Sequence, residues 1–347
     1  MRRYDRLALV CTCFAFTFAL AEAQDRPELP PYQPQQQVSG RISITGHGAI
    51  GHDYIASLVK AWEEGFARTQ PGVTFDTQLV GTASAIGSLY AGTADLALMG
   101  REIWPMELTA FDEVFHYPPI GVDVVTGSYD VRNKDFALVV FVNKENPLQH
   151  LTFAQIDAIF DAEHRTSPKS IHTWGELGLT GEWKDKPIHT LGFPISRGFG
   201  YYMEQTVFGG SRKWTCDLKE FPDVRQPDGK LLDGGQQILD ALAQDKYAIG
   251  YASMFYKNAG VKPLALKRGN ADDFVAVSRD SVMDHTYPLT RVISVYLNRA
   301  PGTDVDPKLK EFMRYILSRE GQAAAQQDGG YLPLTPTLAE RERHKLD

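Results

Sequence analysis

Residues 81–104 read GTASAIGSLYAGTADLALMGREIW, and the fold class turns on how that stretch is parsed. Thr82, Ala83 and Ser84 are small residues ahead of a short helical run of Ile86, Leu89 and Tyr90, and Asp95 then opens an apolar strand, Leu96 to Met99, that ends at Gly100 and Arg101. A first helical turn built from Thr, Ala and Ser leaves its backbone N–H groups unpaired and uncrowded, and the helix dipole makes that end attractive to negative charge. Arg101 stands just past the carboxyl end of the strand, where open α/β sheets place ligand contacts, and its planar fork suits an oxyanion. Taken alone, the stretch reads equally as a capped helix followed by a surface arginine.

Working outward, the same unit recurs. Upstream, Ile42 and Ile44 alternate with polar residues as a strand that runs into the turn TGHGAIG at 45–51, and a helix follows with Ile55, Leu58, Val59, Trp62 and Phe66 on one face. Val73, Phe75, Thr77 and Leu79 alternate as the strand that leads into the opening stretch. A third copy runs from a strand at His189 to Phe193 through PISRGFG at 194–200 to another helix start, and it brings a second arginine, Arg197. Strands separated by helices imply βαβ crossovers and a mainly parallel sheet with these turns along one edge. The free amides at Gly48 and Ala49, at Thr82, Ala83 and Ser84, and at Gly198 and Gly200 are therefore expected to face one crevice.

The remaining segments set the domain plan. Pro105 suits a first helical position, with Leu108, Phe111 and Phe115 on the buried side. Ile120 to Val125 and Phe136 to Val142 are nearly continuous apolar strands, and the polar stretch Thr126 to Asp135 between them carries the chain from one lobe to another. Thr152 and Gln155 make a capping box for a helix that buries Phe153, Ile156 and Phe160, while TWGELGLTGEW from Thr173 reads as a surface loop pinned by two buried indoles. A helix around Ile238 to Leu242 and a strand from Ala248 follow. The strand Arg291 to Leu297, the helix Pro307 to Ser318 and the tail GQAAAQQDGGYLPL return to the first lobe. The expected plan is a two-lobed α/β fold with mainly parallel central sheets. Residues 38–126 and 286–347 form lobe 1, residues 127–285 form lobe 2, and two crossings make a hinge.

Arg2, Arg3 and Arg6, the apolar run Leu7 to Leu20 and Ala21-Glu22-Ala23 read as a secretory signal peptide over residues 1–23, with an uncleaved anchor as the alternative. Leu9 and Val10 do not give Cys11 the small residue that a lipobox needs. Periplasmic export is the expectation. Residues 24–37, with four prolines and a glutamine run, read as a flexible tether. Cleavage removes Cys11 and Cys13 and leaves Cys216, expected to be a buried or inert thiol. The formal charge of −7 is spread along the chain with no basic block, which argues against nucleic acid or an anionic membrane as partner.

In order, TGHGAIG, VGTASAIGSLYAGTADLALMGRE from Val80, VNKENPLQHLTFAQIDAIF from Val142, TWGELGLTGEW, YPLTRVISVYL from Tyr287 and GQAAAQQDGGYLPL from Gly321 resemble a class II solute-binding protein of ABC importers, in its phosphate-binding branch. The resemblance covers nearly all of the chain after the signal peptide. It implies the periplasmic-binding-protein fold, phosphate trapped between helix N-termini, an ABC permease as partner, a monomer, no cofactor, no metal and no catalysis. Thr82 stands at the family's phosphate-binding serine, Arg101 at an arginine of one branch, and Gly198 and Gly200 at the glycines of its GSGT motif. Phe199 and Tyr201 stand where that motif has serine and threonine, Gly100 replaces an aspartate or serine, and Ile50 replaces a threonine. The family's aspartate accepts a proton from phosphate and thereby rejects sulfate, so Gly100 leaves the choice of oxyanion open. Ser84, Ser196, Arg197 and the Tyr201 hydroxyl are the candidates to replace the lost donors.

Two rival readings use other features. A hydrolase would draw on His47, His52 and Asp53, but no HExxH or GxSxG accompanies them, and surface or capping roles are expected. A divergent scaffold with an altered pocket, motivated by Phe199 and Tyr201, would act as an extracellular sensor or interaction protein.

Overall fold

The structure, a computed structural model, describes residues 28–49, 53–132, 134–271 and 273–347. The expected signal peptide, Ile50 and His52 lie outside the described residues. The chain begins with β1 (Ser39–Gly46), α1 (Ala56–Ala67), β2 (Gly72–Gln78), a 3₁₀ turn at Thr82–Ser84, α2 (Ala85–Tyr90), β3 (Leu96–Met99), α3 (Pro105–Phe115) and β4 (Ile120–Thr126). It continues through β5 (Val139–Asn143), β6 (His150–Thr152), α4 (Phe153–Phe160), β7 (His189–Gly192), α5 (Gly198–Thr206), β8 (Lys219–Glu220), β9 (Val224–Arg225), β10 (Leu231–Leu232), α6 (Gly234–Gln244), β11 (Ala248–Ala252), β12 (Val261–Pro263), β13 (Ala265–Lys267) and α7 (Arg279–Met283). It closes with β14 (Val292–Leu297), α8 (Pro307–Ile316), α9 (Arg319–Asp328) and α10 (Pro336–His344).

Two five-stranded sheets organise these elements, in the orders β2-β1-β3-β14-β4 and β12-β5-β11-β7-β8. Both are mixed, not mainly parallel. In the first, β1 runs parallel to β2 and β3, but β14 inserts antiparallel between β3 and β4. The reason is the return route: β14 re-enters beside the point where β4 leaves, with Val292 opposite Thr126. In the second, β11 is parallel to β7 and antiparallel to β5. These registers put the carboxyl ends of β1, β3 and β7 at the end of their sheets where the chain crosses over.

Each sheet has its own core. Ile42, Trp62, Phe66 and Phe312 anchor the first, and the periodicity of α1 accounts for it, since Leu58, Val59, Trp62 and Phe66 are all buried along one stripe. Phe141, Phe160, Trp174 and Tyr251 anchor the second. Trp174 and Trp183 are both buried and meet edge to face with centroids 6.1 Å apart, as expected for that loop. Thr152 and Gln155 cap α4 reciprocally. Cys216, by contrast, is exposed.

The crossing segments are hydrogen-bonded side by side: Gly127 N–H donates to Arg291 O at 2.8 Å and Leu138 N–H to Leu289 O at 3.1 Å. The tail joins them, because Thr126 and Leu332 exchange both backbone bonds. Residues 28–37, expected as a flexible tether, instead lie against the first core. Tyr32 donates from N to Glu320 and from its hydroxyl to Glu311, each at 2.7 Å, and its ring meets Tyr315 edge-on at 5.4 Å. The reason is that Glu311 is buried and needs donors. Among the described residues no helix is long and apolar enough to cross a membrane.

Candidate functional site

A cleft of about 370 Å³ opens where the two sheets face each other across the crossings. The first sheet contributes His47, after β1; Thr82, in the turn after β2; and Gly100 and Arg101, after β3. Lys134, Asp135 and Arg291 come from the crossings, and Arg197, Gly198 and Phe199 from the start of α5.

His47 is the hub. Its ring is buried, with Nδ1 3.1 Å from Thr82 Oγ1 and Nε2 3.1 Å from the Tyr331 hydroxyl and 2.9 Å from Asp135 Oδ2. Surface or capping duty was the expectation for this residue; burial of the turn by the tail and the crossing overturns it. Gly100 explains the fit, since a Cβ there would lie 2.1 Å from His47 Nδ1. The absence of a side chain at this position is thus what makes room for the imidazole. Asp53 lies ahead of α1, and its Oδ1 accepts from Ser57 N at 3.1 Å, a bond that holds the carboxyl below its ordinary range.

Asp135 places a carboxylate in the cleft beside His47. Burial would raise its pKa, but the charge and hydrogen bond of His47, then Arg291 and Arg101, outweigh burial and hold it below the ordinary range. Arg291 is itself buried and forks onto Glu102 at 3.1 and 3.0 Å, with Asp135 3.8 Å away. Burial alone would weaken its charge, yet Glu102 and Asp135 together raise its pKa. Tyr331 stays protonated, because burial and then the Asp135 charge push its hydroxyl far up.

Charge is distributed unevenly around the cleft. Arg101 is saturated by Glu107, at 2.8 and 2.7 Å, and stacks 3.8 Å over Trp104. Lys134 donates to Tyr54 O at 2.7 Å and lies 3.7 Å from Asp328. Arg197 is the lining cation that makes no ion pair among the described residues. It precedes α5, whose first turn has neither a side-chain cap nor an acidic residue. Gly198 lines the cleft, a Cβ there would meet nothing within 4 Å, and as the first helical residue it has an N–H without an intrahelical acceptor.

With the strand ends, the crossings and the open cleft in place, a family model described as "PBP superfamily domain" matches residues 33–320. The chain belongs to the PBP superfamily. It is 34% identical over 330 residues to the phosphate-binding protein PstS of Pseudomonas aeruginosa, covering 94% of each chain. Two solved structures share the fold. PstS from Borrelia burgdorferi matches at a TM-score of 0.55 and 14% identity, covering 85% of this chain and 99% of that one. A possible phosphate binding protein from Planctomyces limnophilus matches at 0.52 and 20%, covering 89% and 98%. The two-lobed α/β architecture is that of the superfamily.

Within this superfamily frame, Thr82, Arg101, Arg197 and Gly198 line the cleft. The other expected contacts do not. Gly48 is shaped by packing, with φ +154° and Leu79 O 2.5 Å from where a Cβ would sit, and Ala49 next to it also stays outside the lining. Ala83 is exposed, Ser84 turns its hydroxyl back to Gly81 O at 2.8 Å, and Ser196 is exposed beside the cleft. Gly200 is a glycine because Ile195 O would lie 2.6 Å from a Cβ. Tyr201 packs on Trp104, centroids 4.8 Å apart, across the edge of the cleft. Phe199 packs 4.7 Å from both Phe136 and Phe193, and the three rings form an apolar wall of the cleft. His47 as hub, Lys134, Asp135, Arg291 and Tyr331 went unforeseen. The histidine in a glycine-rich turn at a strand end was the one local signal available for any of them.

Proposed function

We propose that the chain is an exported, monomeric receptor that captures inorganic phosphate between its lobes without chemical turnover and delivers it to an ABC-type permease. The observation that carries this reading is the start of α5: an uncapped first turn, a Gly198 amide without an intrahelical acceptor and the unpaired Arg197, all at the cleft opposite Thr82. A micromolar receptor needs about 8 kcal/mol, within reach of several charge-assisted hydrogen bonds at about 1.5–3 kcal/mol each. Asp135 gives the site a carboxylate acceptor for a protonated anion, and its charge disfavours a fully ionised one such as sulfate. The names of the similar proteins support the same ligand. Isothermal titration of the purified chain with phosphate, arsenate and sulfate tests the reading: phosphate and arsenate release or absorb heat at one site, sulfate far less. Silence with all three rejects it.

One observation favours a second reading. Thr82 and Asp135 flank His47, with Thr82 Oγ1 3.1 Å from Nδ1 and Asp135 Oδ2 2.9 Å from Nε2, in the order hydroxyl, imidazole, carboxylate that activates a nucleophile. Ester hydrolysis abolished by Thr82→Ala would support it, and absence of turnover with phosphate and carboxyl esters removes it.

A further inference from the structure

The end of α4 and the turn after it bring Asp157, Asp161 and His164 together, and one ligand atom from each lies within 4.8 Å of the others. None of the three lines the cleft. Asp157 is fully buried, and among the described residues neither of its carboxylate oxygens has a hydrogen-bond partner. Asp161 is 2% exposed; its Oδ1 accepts from Ser211 Oγ at 2.6 Å and its Oδ2 from His164 N at 2.7 Å, which leaves each oxygen a further lone pair. The His164 ring has Nε2 2.7 Å from Ser170 Oγ, while its buried Nδ1 has no hydrogen-bond partner among the described residues.

Among the described residues, no lysine or arginine pairs with Asp157 or Asp161. The nearby bases Arg165 and Lys213 are drawn to Glu163 instead, at 3.0 and 3.5 Å. Two buried carboxylates at this separation, with no cation between them, destabilise each other and the fold around them. Such oxygens are left bare when their partner is a ligand that the protein chain does not supply.

We propose that Asp157, Asp161 and His164 form a binding site for a divalent transition-metal ion of zinc-like preference. The donor set decides the class. Calcium and magnesium take oxygen donors throughout, whereas an imidazole nitrogen beside two carboxylates suits zinc. With Nε2–H donating to Ser170 Oγ, Nδ1 carries the lone pair a metal needs, the outer-shell bond that orients ligating histidines. Asp161 is oriented in the same way by Ser211. A bound ion would fasten the end of α4 to the turn after it, and that turn is bridged to the segment after α5, where Asp161 pairs with Trp214 and Ala162 N–H donates to Lys213 O. The site would act in stability, apart from anion capture.

The test uses the purified full-length chain, stripped with a chelator, desalted and reloaded with zinc. One equivalent should survive a second desalting. Free zinc at a hundred times its Kd should raise the folding equilibrium constant about a hundredfold, read as a higher melting temperature, while magnesium and calcium leave it unchanged. Asp157→Asn removes an uncompensated buried charge, so the metal-free variant should melt no lower than the metal-free parent and should no longer respond to zinc. His164→Ala should weaken zinc binding at least tenfold. Absence of retained zinc and of any shift in the parent would overturn the proposal. So would an equal shift in both variants, which would put the metal on surface groups such as His189 and Asp245.

Discussion

Replacing Gly100 by alanine tests the centre of the site directly. The new Cβ would lie 2.1 Å from His47 Nδ1 and 2.4 Å from its Cγ and Cε1, well inside the 3.4 Å at which ordinary contact begins. Gly100 is held by β3 and His47 by its own backbone bond to Leu98 O at 2.8 Å, so the ring has to swing away. Its contacts to Thr82, Tyr331 and Asp135 then break together. Overpacking of this kind costs about 1–3 kcal/mol, and a buried carboxylate left without its donor costs about 1–3 kcal/mol more, so about 3 kcal/mol is expected for Gly100→Ala. The clash needs the imidazole. In a His47→Ala background the same substitution should cost under about 0.5 kcal/mol, giving a coupling energy of about 2–3 kcal/mol in a double-mutant cycle. Urea denaturation at constant m measures all four corners, and phosphate titration of the same proteins should show Gly100→Ala weakening affinity as much as His47→Ala does. Equal costs for Gly100→Ala in both backgrounds would refute the placement of the ring.

Three other outcomes follow from contacts already described. Arg197→Ala should weaken phosphate binding by about tenfold or more, one charge-assisted hydrogen bond, with no change in denaturation midpoint because the side chain is exposed and unpaired; unchanged affinity would take Arg197 out of the site. Burial, then Arg341, lowers the His285 pKa from 6.5 to about 4, with Nε2 2.7 Å from Thr126 Oγ1. The unfolded chain therefore binds this proton first as pH falls. The contribution is intact above pH 6.5 and lost progressively down to pH 4, about 3 kcal/mol in all, and His285→Gln should flatten that part of a stability-against-pH curve. Tyr32→Ala should cost about 2–4 kcal/mol in urea denaturation, since it strips a ring from the first core and a donor from buried Glu311; a cost under about 0.5 kcal/mol would mean residues 28–37 are loosely attached.

Local pattern carried most of the fold. The stripe on α1, the alternation in β1 and β2 and the Thr152/Gln155 box each depend on residues a few positions apart, and each is visible in the chain as written. The mixed sheets were not, because parallel pairing follows from βαβ order while the direction of β14 is set by a return from the other lobe. The site divides in the same way. Thr82 and Gly198 announce themselves through the small residues around them. His47 acquires its role only from Tyr331, 284 positions away, and Arg291 from Glu102, 189 positions away. Asp135 sat in a polar stretch that reads as a connection, and no neighbouring residue hints that both sheets converge on it. Gly48 and Gly200 resemble ligand-binding glycines but answer to Leu79 and Ile195.

Tyr331 comes 17th from the end of the chain, and it forms part of the floor on which His47 rests. A ribosome delivers residues in order, so both sheets exist as sequence before this ring emerges, and the pairing of Leu332 with Thr126 holds the ring's neighbour in place. A product cut short at Gly330 would own every cation and every amide of the cleft yet lack the support under its imidazole. The order of the cleft thereby depends on a ring that no strand or helix of either sheet supplies.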